Sequence, residues 1–221
     1  MAEHVIEVKD LVKKYNERKA VLDGVSFSVN ESDFVMIYGK SGCGKTTLLN
    51  ILGGLDRPTS GFVAVDGESI ADLSEDALAN IRLEKIGFVF QDFNLLMDLT
   101  VRENIALPLR FSGNRDGGRV KAMLEKFDIE HIANEMANKI SGGEAQRAAI
   151  ARAMMNEPKI ILADEPTGNL DAENTANVME MFGLVRNDFG TTIVLATHDK
   201  DLASHATARI ILENAKASIG K

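Results

Sequence analysis

Gly39-Lys40-Ser41-Gly42-Cys43-Gly44-Lys45-Thr46 fits the pattern G-x-x-x-x-G-K-[ST] throughout. Each residue type has a physical task there. The glycines permit backbone conformations in which successive N–H groups converge on phosphate oxygens, and a helix that follows adds its positive N-terminal end. Lys45 can set a charge on β- and γ-phosphates, and the Thr46 hydroxyl is a hard oxygen suited to Mg²⁺. The bland alternative, a chance glycine-rich turn, does not explain a full match placed between an apolar run and a helix-forming run.

Other residues suit the same chemistry. Ile160-Ile161-Leu162-Ala163-Asp164-Glu165 is an apolar run that ends in two acids. Successive side chains on a strand point to opposite sides, so Asp164 can serve the metal while Glu165 faces a γ-phosphate and polarises an attacking water. An ordinary surface acid pair is the competing reading. His198 follows the apolar run Ile193 to Ala196 and is placed to sense a γ-phosphate, although a lone His at a strand end is more often a polar cap. Gln91 ends another apolar run, where its amide oxygen can reach Mg²⁺. Tyr15 is an aromatic that either stacks on a base or packs in the core. His4, His131 and His205 have no such context and read as surface residues.

Ser141-Gly142-Gly143-Glu144 has the S-x-x-E spacing of a capping box, so a helix starts there. Two glycines in a first turn cost roughly 1 kcal/mol each. Their presence points to a group that approaches the backbone closely, and an anion at the helix N-terminus is the natural candidate.

These residues need elements to hold them. Val25, Phe27 and Val29 alternate as on a strand; Phe34 to Tyr38 is a buried strand running into Gly39; Thr46 to Leu52 is helix-forming. Val63 to Val65 reads as a strand entering an Asp66-Gly67 turn, and Ile86 to Phe90 as a further strand. Between Asp92 and Asn156 the periodicity becomes helical, carried by Val120, Met123, Leu124 and Phe127 and again by Ala148, Ala149, Ile150 and Ala153. Asn114 to Gly118 is polar and glycine-containing, and reads as a mobile loop. Strands return at Ile160 to Ala163, Thr192 to Thr197 and Ile210 to Leu212. The alternation implies an α/β fold with a mainly parallel sheet covered by helices on both faces.

Composition narrows the partners. The 221 residues carry a net charge of −8, no Trp and 5% aromatics, which disfavours a broad nucleic-acid surface. No apolar run approaches the roughly 20 residues of a membrane span. Met1-Ala2-Glu3-His4 lacks the features of a signal peptide, and one Cys excludes an internal disulfide. The expectation is a cytoplasmic protein that meets a membrane only through a partner.

Taken in order, the phosphate loop, Gln91, Ser141-Gly142-Gly143-Glu144, Asp164-Glu165, Asn169-Leu170-Asp171 and His198 resemble the ATP-binding-cassette ATPases over nearly the whole chain. Finer matches lie in Ile51 to Gly61, Gly87 to Leu96 and Ala163 to Asp171, which look like the lipoprotein-releasing and macrolide-exporter ATPases. The resemblance implies a P-loop NTPase core with an N-terminal antiparallel β subdomain (residues 1–91 and 157–221) and an inserted helical subdomain (residues 92–156), together one cassette over 1–221. It implies ATP hydrolysis with Mg²⁺, with Glu165, His198 and Lys45 as catalytic residues and Thr46, Gln91 and Asp164 at the metal. ATP would be held by Tyr15 on adenine, by Gly39, Lys40, Ser41, Gly42, Cys43, Gly44, Lys45, Thr46 and Thr47, and by Gln91. Ser141, Gly142, Gly143 and Glu144 would meet the ATP of a second copy, with Leu170 and Asp171 at the dimer seam. A separate membrane permease, docking around Phe93 to Asn104, would complete the transporter on the cytoplasmic face of the membrane.

The chain departs from that pattern in places. Ile140 stands where Leu is usual, and Ala145 where a polar residue is usual, an exchange expected to alter hydrogen bonding at the seam. Asn16-Glu17-Arg18-Lys19 lacks a glycine, Glu31-Ser32-Asp33 lacks the glycine common before the phosphate-loop strand, and Glu213-Asn214-Ala215-Lys216 lacks an Asp-Gly turn, which weakens the expected C-terminal hairpin. Cys43 reads as a small residue that fits. Two other classes compete. A soluble cassette clamping nucleic acid or ribosomes usually has two cassettes or a long coiled coil. A GTPase would need Asn-Lys-x-Asp, which Asn138-Lys139-Ile140-Ser141 fails at its last position.

Overall fold

The computed structural model describes residues 4–16, 19–113 and 116–220. Glu17, Arg18, Asn114 and Arg115, which belong to two of the segments singled out above, lie outside the described residues, as do Met1, Ala2 and Glu3.

Two sheets share one chain. The first is antiparallel, ordered β2-β1-β4-β5, from β1 (His4–Lys14), β2 (Ala20–Asn30), β4 (Ser60–Val65) and β5 (Glu68–Ser69). The second is ordered β10-β9-β3-β8-β7-β6, from β3 (Phe34–Tyr38), β6 (Ile86–Phe90), β7 (Ile160–Asp164), β8 (Thr192–Thr197), β9 (Ala208–Glu213) and β10 (Lys216–Gly220). Its pairings are parallel except β9 with β10. The α/β reading from alternation is therefore the observed architecture.

Strand alternation builds two hydrophobic cores, one on each face of the parallel sheet. Phe34 and Met36 of β3, Ile161 and Ala163 of β7, and Ile193 and Leu195 of β8 enter one core. Val35, Ile37, Ile160, Leu162, Val194 and Ala196 enter the other. The second core also receives the inner face of the antiparallel sheet and Leu48, Leu49, Ile51 and Leu52 of α1 (Lys45–Leu52). The first receives α3 (Val101–Phe111), α4 (Gly117–Lys126), α5 (Gly142–Ala153) and α6 (Ala172–Phe189). A further helix, α2 (Glu75–Glu84), packs through Leu78 and Ile81 on the α1 side.

Polar residues set the helix starts. Ser74 caps α2, Thr100 and Glu103 close a capping box on α3, and Asp171 caps α6. Two expectations change. Gly117 and Gly118 are not loop: they open α4, because the Asp116 carboxylate accepts from both Gly118 N and Arg119 N. The C-terminal hairpin forms without Asp-Gly, with Asn214 (φ 51°) and Ala215 (φ 66°) taking the left-handed conformations of its turn. Ala145 turns inward and is buried in the core of the helical region. In the segment without the usual glycine, Ser32 adopts φ 60° and donates its hydroxyl to Gly190 O at 2.9 Å, tying the start of β3 to the end of α6.

Candidate functional site

The phosphate loop links the C-terminal end of β3 to α1. Gly42 (φ 76°) and Gly44 (φ 108°) take left-handed backbone there, and Gly44 is the cap of α1. A side chain at Gly39 would collide with Cys43 Sγ and the Leu212 carbonyl, so the loop is seated tightly on β9. Cys43 thus fills space beneath the loop, as a small fitting residue does.

Four elements bring side chains to this loop. A cleft of about 660 Å³ is lined by Lys40, Ser41, Gly42, Gly44, Lys45, Thr46 and Thr47 together with Gln91, Asp164, Glu165 and His198. Parallel strands β3, β6, β7 and β8 all end on this side, which is why residues distant in sequence converge. Lys45 is buried, and its ammonium donates to Gly39 O at 2.9 Å and lies 3.2 Å from Glu165 Oε1. Glu165 Oε2 lies 2.9 Å from His198 Nδ1. Glu165 has φ 46°, and its carboxylate meets Lys45 and His198 while that of Asp164 meets Thr46.

Asp164 takes the other side. The Thr46 hydroxyl donates to its Oδ2 at 2.7 Å, while its buried Oδ1 has no hydrogen-bond partner among the described residues. Burial pushes the Asp164 carboxyl above its ordinary value, partly offset by the Thr46 hydroxyl. An orphaned carboxylate oxygen beside a hydroxyl and an amide is a hard-oxygen donor set, which fits Mg²⁺. Gln91, whose side chain lines the cleft, donates from Nε2 to Asn169 Oδ1 at 3.3 Å.

The second glycine-opened helix start does not line this cleft. Ser141 caps α5 as the spacing predicts: its hydroxyl accepts from Glu144 N at 3.3 Å, and Glu144 Oε2 accepts from Ser141 N at 2.8 Å. The Ser141 hydroxyl and N–H together hold the Glu144 carboxyl below its ordinary value, assisted by His131 3.4 Å away. Ser141 and Gly142 are exposed, and a side chain on Gly142 would meet nothing closer than Leu170 Cδ2 at 3.8 Å. Gly143 differs, because a side chain there would collide with Asn174 Oδ1 of α6. Close approach to the backbone is thus met at Gly143 by this chain's own helix, and only Gly142 is left open to another group. Leu170 is half-buried, and exposed Asp171 caps α6; neither lines the cleft.

Tyr15 is exposed beside an adjoining cavity of about 680 Å³ that shares Lys40, Ser41 and Gly42 with the cleft. Its hydroxyl donates to Asp56 Oδ2 at 2.7 Å, and Lys13 Nζ stands 4.7 Å over one ring face. Lys13, Asp56, Asn174 and Arg152, whose guanidinium bonds the Phe93 and Asn94 carbonyls, were not legible as site residues, since each acts through a partner distant in sequence.

Comparison with known proteins returns one consistent group. A family model described as ABC transporter matches residues 22–168. The macrolide export ATP-binding/permease protein MacB of Syntrophobacter fumaroxidans is 45% identical over 211 residues, covering 91% of this chain and 29% of its own length. The chain therefore spans under a third of that relative. Among solved structures, the ATP-binding cassette MJ0796, a dimer in a post-hydrolysis state with ADP and Pi, superposes with TM-score 0.89 at 40% identity over 98% of both chains. CbiO1 of Clostridium perfringens, part of the transporter complex cbiONQ, superposes with TM-score 0.90 at 26% identity over 98% of this chain and 87% of its own.

Proposed function

The chain belongs to the ABC transporter family as an ATPase cassette, and from that premise we propose that it is half of an ATP-sandwich dimer driving a membrane permease of the lipoprotein-release or macrolide/peptide-export type. One observation carries the reading: the Ser141-Gly142 helix start, a type of site that suits an anion, is exposed and stands outside its own chain's phosphate cleft. A second copy supplies the missing phosphate, and MJ0796, so similar in fold, is a dimer. Leu170 and Asp171 then lie at the seam.

In this reading the loop from Gly39 to Thr47 holds the phosphates and Tyr15 stacks on adenine with the ring face not covered by Lys13. Thr46, Asp164 and Gln91 would hold Mg²⁺, which would supply positive charge against the phosphate oxygens. Lys45 now spans Gly39 O and Glu165 Oε1. Incoming phosphate oxygens compete for its ammonium, which frees one Glu165 oxygen to accept a proton from the attacking water. His198, already 2.9 Å from the other oxygen, orients that carboxylate and faces the γ-phosphate. Residues 92–156 form the helical part that carries the Ser141 helix.

The permease lies outside these 221 residues. Its docking is supported by exposed Leu96, Met97 and Phe111, the last bordering a cleft of about 280 Å³ with Phe88 and Phe90. The relative MacB carries a permease by name. Among the described residues no helix is long and apolar enough to cross a membrane; in this reading the permease holds the cassette at the cytoplasmic face.

Glu165→Gln is expected to keep ATP binding, slow hydrolysis about 10²-fold or more, and accumulate an ATP-bound dimer in light scattering. An ATP-loaded protein that stays monomeric would overturn the sandwich. Pull-down from detergent-solubilised membranes should recover an integral membrane protein; ribosomes or DNA in its place would support a clamp.

A further inference from the structure

Beyond Gln91 and Asp92, two residues that are not glycine, Phe93 (φ 61°) and Asn94 (φ 49°), sit in the left-handed region. One side chain secures both. Arg152 donates from Nη2 to Phe93 O at 2.8 Å and from Nη1 to Asn94 O at 2.6 Å. Arg152 lies near the end of α5, and the Phe93 ring returns to the start of the same helix, where a side chain on Gly142 would meet its Cζ at 3.9 Å. The strand leading to Gln91 is also fixed on α5, since a side chain at Gly87 would collide with the Ala153 carbonyl. On the other flank, Asn169 Nδ2 donates to Asp92 Oδ1 at 3.2 Å, and Gln91 Nε2 donates to Asn169 Oδ1 at 3.3 Å.

Burial works against the Arg152 charge. A carboxylate would compensate it better than two carbonyls do. What two adjacent carbonyls gain from a planar fork is a fixed turn, which the single ammonium of a lysine cannot supply.

We propose that Arg152 is a positioning residue: its fork holds the turn after Gln91, so that the reach of Gln91 into the nucleotide cleft and the placement of the Ser141 helix start are set together. The proposal rests on the reading of that cleft as an ATP site. Arg152 does not line the cleft and acts through Gln91.

The test is a double-mutant cycle between Arg152→Gln and Gln91→Ala in a Glu165→Gln background, read as equilibrium ATP affinity with and without Mg²⁺. Each single change is expected to weaken Mg²⁺–ATP binding about fivefold, the pair no more than about fivefold, with Mg²⁺-free binding moved less than about twofold. Without nucleotide or metal, amide exchange across residues 91–99 should rise about tenfold in Arg152→Gln. Multiplicative losses of about 25-fold in the pair, an equal loss without Mg²⁺, or unchanged exchange would each overturn the role of Arg152 alone. A Glu165→Gln parent that binds no ATP would instead overturn the reading of the cleft, and the proposal with it. If Arg152→Gln does not fold, Arg152→Lys enters the same cycle, with the same expected non-additivity and the same contrary outcomes.

Discussion

Gly142 and Gly143 are neighbours in sequence but answer to different constraints. Gly143 makes room for Asn174 of α6, whose side chain is itself held by Asp171 Oδ1 at 3.0 Å. Gly142 has room for a methyl group, its nearest neighbours being Leu170 Cδ2 at 3.8 Å and Phe93 Cζ at 3.9 Å. Alanine scanning should therefore separate them. Gly143→Ala is expected to cost about 1 kcal/mol in thermal melts, and Asn174→Ala in the same chain should return most of it. Gly142→Ala should leave the melting temperature unchanged or slightly raised, since alanine favours a first turn, while ATPase activity falls at least about tenfold. Equal stability losses at both positions would tie both glycines to internal packing alone. At this scale the phosphate loop and Asp164-Glu165 were readable because their chemistry is carried by contiguous residues. Asn174 and Arg152 were not, because a collision with a helix 31 positions along and a fork onto carbonyls 58 positions back leave no local pattern.

Elements were read best where period and capping agreed. The strand at Thr192–Thr197 and the helix start at Ser141 have the bounds that their apolar run and S-x-x-E spacing predict. Reading failed where one residue overrode composition: Asp116 made a helix of two glycines expected in a loop. The last hairpin failed in the other direction, forming despite a turn residue poorly suited to it. Ala215 occupies φ 66° and accepts a hydrogen bond from Asp23 N at 2.7 Å, which helps to hold it there. Ala215→Gly removes the side-chain penalty of the left-handed region but adds freedom to the unfolded chain. The net expectation is a gain of ~0.5–1 kcal/mol, a rise of about 2 °C in the melting temperature. A lower melting temperature would show that Ala215 is not strained.

At the scale of the molecule, strand order was the part least legible in sequence, because it depends on which distant strands pair. It also sets how two copies share labour. If each site joins Lys45 of one copy to Ser141 of the other, a Lys45→Ala copy and a Ser141→Arg copy, both in a Glu165→Gln background, complement each other. Differently tagged, neither should dimerise alone with ATP, and the mixture should co-elute with about one nucleotide per dimer. Absence of co-elution would overturn the shared site.

The position of β3 has a consequence for how the protein is made. Phe34–Tyr38 sits between β8 and β9, strands drawn from residues 192–213. During synthesis the phosphate loop leaves the ribosome well before the strands that brace it on both sides, which arrive only with residues 192–213. The costly long-range pairings come before any nucleotide site exists. A chain interrupted before residue 192 thus carries the full phosphate-loop sequence with neither bracing strand. Such truncation products are expected to bind no ATP, so competence to bind ATP would report that translation had passed the strands that brace the loop.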